Sequence, residues 1–173
     1  MKLRRFGRTE LQVSELAFGG GRSGGILINA DDDTRRRAIR RALDLGVNWF
    51  DTAPQYGDGK SEEALGCLLS EVEETPFVST KVRIDVYSAE NLTSQVERSV
   101  TASLEKLQRN QVDLLQIHSL IMPEASDRMI SVDHVLGKGG MADAMEKMRD
   151  QGLTRYLGLT ALGNNKATTD VIN

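Results

Sequence analysis

With 173 residues, 39% hydrophobic and 27% charged, the chain has the make-up of one folded domain and not of a disordered segment. Its 22 Lys plus Arg against 25 Asp plus Glu give a formal net charge of −3, which excludes the concentrated positive field that nucleic acid needs. No apolar run nears the roughly 18 residues of a membrane span, and no apolar signal core follows Met1-Lys2-Leu3-Arg4-Arg5, so a cytoplasmic protein without membrane contacts is expected.

The first residues read as a hairpin: Leu3 and Phe6 precede Gly7-Arg8-Thr9, and Leu11 and Val13 then alternate with polar neighbours. Glu15 to Phe18 is predicted as the first strand of a sheet, ending in a glycine-rich stretch from Gly19 to Gly25. Asp31 to Leu45 is predicted as a helix with Ala38, Ala42 and Leu45 on one face, an acidic start and Gly46 as its stop. Val47 to Phe50 follows as a strand, Gly59 to Leu69 as a helix, and Phe77 to Thr80 as the third strand. Ser88 is placed as the cap of a long helix carrying Leu92, Val96, Val100, Leu104 and Leu107. Val112 to Ile117 is the fourth strand, and Ser119 to Gly140 is a long irregular loop of functional length. Met141, Met145 and Met148 mark the core stripe of another helix, Tyr156 to Leu159 is the fifth strand, and a further helix begins near the end.

Five alternations of strand and helix predict an α/β protein with a parallel sheet built from right-handed crossovers. Doubly wound sheets and closed barrels share that pattern. Five eighths of a barrel of about 250 residues is roughly 156, so the length fits a (β/α)8 barrel cut after about five units, with an N-terminal β-hairpin. Residues 1–173 then form a single incomplete barrel domain.

Such sheets place ligands at the carboxyl ends of their strands. There stand Asp51 after the second strand, Lys81 after the third and His118 after the fourth, with Tyr56 in the loop beyond Asp51. Singly, each has a bland explanation as a cap, a solvated charge or a packed ring. Together they make a proton-transfer unit. A tyrosine hydroxyl is a poor acid near neutrality; an ammonium stabilises its phenolate, a carboxylate holds the ammonium, and an imidazole can orient a carbonyl. Cys67, beside Leu65, Leu68 and Leu69, is expected to be a buried, inert thiol, and as the one cysteine it fits a reducing compartment. The basic run Arg35-Arg36-Arg37 with Arg40-Arg41 follows Asp31-Asp32-Asp33 and is expected to be a solvated surface.

Five stretches carry a resemblance. Asn48 to Gly57 (NWFDTAPQYG), Ser61 to Gly66 (SEEALG), Ser79-Thr80-Lys81, Asp113 to His118 (DLLQIH) and Gly152 to Thr160 (GLTRYLGLT) resemble, in order, the signature of the aldo-keto reductases. The ending Leu157-Gly158-Leu159-Thr160 is similar to the branch with aldose and galactose dehydrogenases. The resemblance implies a (β/α)8 barrel and NADP(H)- or NAD(H)-dependent interconversion of a carbonyl (aldehyde, ketone or sugar) and an alcohol. Tyr56 is then the general acid, Lys81 and Asp51 its tuning pair, and His118 the residue orienting the carbonyl. Gly20 and Gly21 let the backbone approach the cofactor, Asp51 also lies at that site, and Thr160 contacts the nicotinamide amide. The family's sixth to eighth strands have no counterpart here.

Two classes remain: an oxidoreductase, or a catalytically inactive partial barrel acting as a structural or self-associating protein. A metal-dependent barrel hydrolase is disfavoured because His-x-His pairs are absent. Five parallel strands leave two open edges. The 173-residue chain alone is therefore expected to self-associate in light scattering and to bind reduced nicotinamide cofactor weakly in a fluorescence titration; a monomer with tight binding contradicts this.

Overall fold

The structure, a computed structural model, describes residues 1–173. The hairpin forms as predicted: β1 (Leu3–Arg5) pairs antiparallel with β2 (Gln12–Ser14), Leu3 opposite Ser14. The next strand is shorter and later than Glu15 to Phe18; β3 is Phe18–Gly19. The reason is local, since the Glu15 N–H extends the hairpin ladder to the Lys2 carbonyl, and the Ser14 hydroxyl turns back onto the Leu16 carbonyl at 2.6 Å. The glycine-rich stretch hides a short helix, α1 (Ile26–Asn29), started by Gly25 at φ 57° and anchored by buried Leu27.

α2 (Asp32–Asp44) begins at Asp31, whose carboxylate accepts from the Thr34 N–H at 2.9 Å, and stops where Gly46 takes φ 83°. β4 (Trp49–Asp51) and α3 (Lys60–Ser70) follow. Leu65, Leu68 and Leu69 of α3 are buried, but Cys67 is exposed, contrary to the expected buried thiol. At 100° per residue, position 67 falls outside the face that 65, 68 and 69 share. β5 (Phe77–Val82) runs two residues past Thr80, so Lys81 lies within the strand and not after it. α4 (Leu92–Leu107) is capped by Asn91, which accepts from the Ser94 N–H at 2.9 Å; Ser88 instead accepts from the Glu90 N–H in the preceding turn.

β6 (Val112–Ile117) matches its predicted bounds. The segment expected to be irregular is built: β7 (Leu120–Ile121) pairs with β8 (Met129–Ile130), and Ser131 caps α5 (Val132–Leu136). α6 (Met141–Asp150) buries Met141, Met145 and Met148 as the core stripe, ahead of β9 (Thr154–Leu159) and α7 (Asn165–Ile172). The sheet order is β3-β4-β5-β6-β9; β3 pairs in parallel with β4, Gly19 opposite Asp51, and β4 with β5, Asp51 opposite Ser79. No helix is long and apolar enough to cross a membrane.

Two compact units make up the chain, residues 1–80 with 103–113, and residues 81–102 with 114–173. The first has Phe50, Leu65, Val78 and Leu107 at its centre; the second has Val82, Val96, Leu115, Ile130 and Met148. In the first, the basic run of α2 is solvated and ion-paired: Arg36 binds Glu71 at 2.6 Å, and Arg40 pairs with Asp44 and Glu74. Those contacts hold the Glu71 and Glu74 carboxyls below the usual range, chiefly through hydrogen bonds from the two guanidinium groups. In the second, α5 packs on α6 and α7, and α6 on β9.

Gly66 shows why α3 needs a glycine in its interior. A Cβ there would overlap the Lys106 carbonyl oxygen and lie 2.7 Å from the Leu107 carbonyl carbon, both backbone atoms that cannot step aside. Gly66→Ala is expected to cost roughly 2 kcal/mol despite alanine's better helix propensity, because overpacking outweighs it. Urea unfolding checks this; equal or higher stability contradicts the packing.

Candidate active site

The end of β4 is tied down from three directions. The Asp51 carbonyl accepts from the Gly20 N–H at 2.7 Å, and the Thr52 N–H donates to the Ser79 carbonyl at 2.9 Å. The buried Ser61 hydroxyl donates to the Gly20 carbonyl at 2.9 Å and shares a 2.8 Å hydrogen bond with Thr52 Oγ1. Its own N–H donates to the Tyr56 carbonyl at 3.2 Å. Residues 52–59 are thereby a braced loop, with Tyr56 half-buried within it.

The two glycines expected to admit a ligand are packed against the protein itself. A Cβ on Gly20 would overlap Ser61 Oγ and sit 3.1 Å from the Asp51 carbonyl oxygen. A Cβ on Gly21 would meet the Tyr56 ring at 3.3 Å. Gly21 therefore lets the loop after β3 lie flat against the tyrosine. Asp51, Tyr56, Gly20 and Gly21 thus come together in the first unit.

The motif residues around them have structural work. Asn48 stitches β4 to the hairpin: its side chain accepts from the Ser14 N–H at 2.7 Å and donates to the Gln12 carbonyl at 2.8 Å. Trp49 lies between the rings of Phe6 and Phe77, at 5.0 and 6.0 Å between centroids. Glu62, fully buried, accepts from the Thr80 hydroxyl at 2.6 Å. Asp113, buried at the start of β6, accepts from the Val78 N–H at 2.9 Å and faces the Arg109 guanidinium, whose pKa burial pushes down while Asp113 opposes that shift.

The second unit holds Lys81, His118 and Thr160. Lys81 is 5% exposed, the next-to-last residue of β5. The His118 N–H donates to the Val82 carbonyl at 2.8 Å, and the Thr160 N–H to the Ile117 carbonyl at 3.0 Å, so the ends of β5, β6 and β9 lie in step. Thr160 Oγ1 is buried without a hydrogen-bond partner, and so is Ser119 Oγ next to His118. Sequence reasoning missed Ser61, Ser79 and Ser119. Ser61 and Ser79 lay inside the quoted motifs, but nothing in their spacing revealed which atoms they would meet.

The family model of the aldo/keto reductases matches residues 15–169. The chain belongs to the aldo/keto reductase family. It is 31% identical over 165 residues to L-galactose dehydrogenase of Arabidopsis thaliana, covering 94% of this chain and 49% of that protein. D-threo-aldose 1-dehydrogenase of a Pseudomonas species is 26% identical over 186 residues, covering 93% of this chain and 54% of its own. Among solved structures, the holo form of aldo-keto reductase AKR11C1 from Bacillus halodurans superposes with a TM-score of 0.71 at 28% identity, over 92% of this chain and 50% of that one. Glycerol dehydrogenase AKR11B4 from Gluconobacter oxydans gives 0.71 at 29%, over 98% and 50%. The chain spans about half the length of the curated relatives it matches. The fold class is that of the family's barrels, represented here by a five-stranded sheet.

Ser61 is the test of the brace. Ser61→Ala removes both side-chain hydrogen bonds and leaves the Gly20 carbonyl without its hydroxyl donor, so a loss of about 1–3 kcal/mol is expected in urea unfolding. A variant as stable as the parent contradicts the brace.

Proposed function

We propose that this chain carries the proton-transfer residues of an NAD(P)-dependent oxidoreductase that interconverts a small carbonyl compound and its alcohol. The observation that carries the reading is placement. Within a matched aldo/keto reductase sequence, Asp51 ends β4, Lys81 lies in the last two residues of β5, His118 follows β6 and Thr160 follows β9. Strand ends of this kind are where parallel α/β folds bind ligands.

Tyr56 is the general acid, its ring set by Gly21 and its backbone by Ala53 and Ser61. In the reducing direction the carbonyl oxygen takes the Tyr56 proton as its carbon takes the hydride. The Lys81 ammonium stabilises the phenolate left behind, and the Asp51 carboxylate holds that ammonium. His118 donates to the carbonyl oxygen and aims it at Tyr56. A bound nicotinamide dinucleotide supplies or accepts the hydride. The orphan Thr160 hydroxyl suits its carboxamide, and Asp51 lies at the same site. The relatives named for L-galactose, D-threo-aldoses and glycerol favour sugars and other polyols as the alcohol substrates.

Tyr56→Phe keeps the ring that packs on Gly21 and removes only the hydroxyl. In the active enzyme kcat for carbonyl reduction is expected to fall roughly 100-fold or more, the scale of a positioned general acid. Binding of reduced cofactor, followed by fluorescence titration, is expected to stay at the parental level. Turnover within a few-fold of the parent would mean that another group supplies the proton.

A further inference from the structure

Ser79 is fully buried on β5, directly opposite Asp51 in the parallel register of β4 and β5. Alternate residues of a strand share a face, so Trp49 and Asp51 of β4 project from the same side. The Trp49 indole Nε1–H donates to Ser79 Oγ at 3.1 Å, and the Ser79 hydroxyl donates to Asp51 Oδ1 at 2.6 Å. The direction is forced. An indole can only donate and an ionised carboxylate can only accept, so the hydroxyl has one arrangement that serves both. Its lone pair is taken by the indole, and its proton goes to the carboxylate. A hydrogen bond to an ionised acceptor is short and strong, and the donor here is fully buried. The indole is in turn held between the Phe6 and Phe77 rings.

We infer that Ser79, oriented by Trp49, is the positioning residue that sets the facing of the Asp51 carboxylate. The inference rests on the reading of Asp51 given above. It extends the site by two residues that touch neither substrate nor cofactor. Lys81 stands two residues beyond Ser79 in the same strand.

Trp49 is the chain's one tryptophan, so its indole N–H gives a single proton–nitrogen NMR signal that reports the link without any turnover. In Ser79→Ala that signal is expected to move upfield and its N–H to exchange faster with solvent; in Ser79→Thr, which keeps the hydroxyl, it stays near the parental position. Asp51→Ala is expected to shift it too, because the released Ser79 hydroxyl reorients although the indole does not itself bond Asp51. An indole signal unmoved in Ser79→Ala and Asp51→Ala overturns the inference. Should Ser79→Ala not fold, Asp51→Ala and Ser79→Thr decide it. In steady-state kinetics Ser79→Ala is expected to lower kcat about ten-fold, the scale of a lost hydrogen bond to a charged acceptor, with KM within about two-fold. In an Asp51→Ala background, which removes the acceptor, the same change is expected to cost nothing more; losses that multiply show that Ser79 acts otherwise, and overturn the inference. Asp51→Asn at full parental kcat overturns the proposed function instead, and the NMR arms still decide the link between Ser79 and Asp51.

Discussion

The Ser61 hydroxyl joins segments 41 and 9 residues away in sequence, and the loop that holds Tyr56 depends on it. A buried hydroxyl with no partner costs about 1–3 kcal/mol, so Ser61 is either fully paired or a liability. Here it binds the Gly20 carbonyl and the Thr52 hydroxyl while its N–H closes the loop onto the Tyr56 carbonyl. The start of α3, the end of β4 and the loop after β3 are therefore joined at one residue. Such a joint suits the role proposed for Tyr56, whose hydroxyl would have to meet a substrate oxygen within a few tenths of an ångström.

The same economy runs through the motif residues. Of the stretch from Asn48 to Ala53, Asn48 binds the hairpin backbone, Trp49 reaches Ser79, Phe50 fills the core beside Phe18, and Ala53 is fully buried. Asp51 in turn accepts from the Ser79 hydroxyl. Glu62 and Asp113, buried carboxylates of the motif stretches, accept from the Thr80 hydroxyl and the Val78 N–H. Buried charge survives in a fold where it is hydrogen-bonded, and these two serve the sheet.

Between β6 and α6 the chain builds order from short pieces. The Gly163 backbone, at φ 117°, lies so close to Ile121 that any Cβ would overlap the Ile121 carbonyl. The Ile121 N–H donates to the Leu162 carbonyl, and the Asn164 N–H to the Ile121 carbonyl at 2.8 Å. Two loops are thus laced by backbone alone. That lacing holds the segment after His118 against the segment after Thr160, with the two orphan hydroxyls of Ser119 and Thr160 beside it.

The amino-acid sequence by itself determined the alternation of strands and helices, the N-terminal hairpin, the Met141-Met145-Met148 stripe and the family, because periodicity, caps and ordered motifs are local signals. It also placed Asp51, Lys81 and His118 near strand ends, although β5 runs beyond the Thr80 boundary that alternation alone suggested. Tertiary structure decided the rest. Glu15 joined the hairpin because the Lys2 carbonyl needed a donor, Cys67 turned to solvent because the core of α3 was filled by residues 65, 68 and 69, and Asn91 took the α4 cap from Ser88. The partners of Ser61 and Ser79 were decided there too. A serine's neighbours across 28 or 41 residues are set by strand register and packing, which no local pattern encodes.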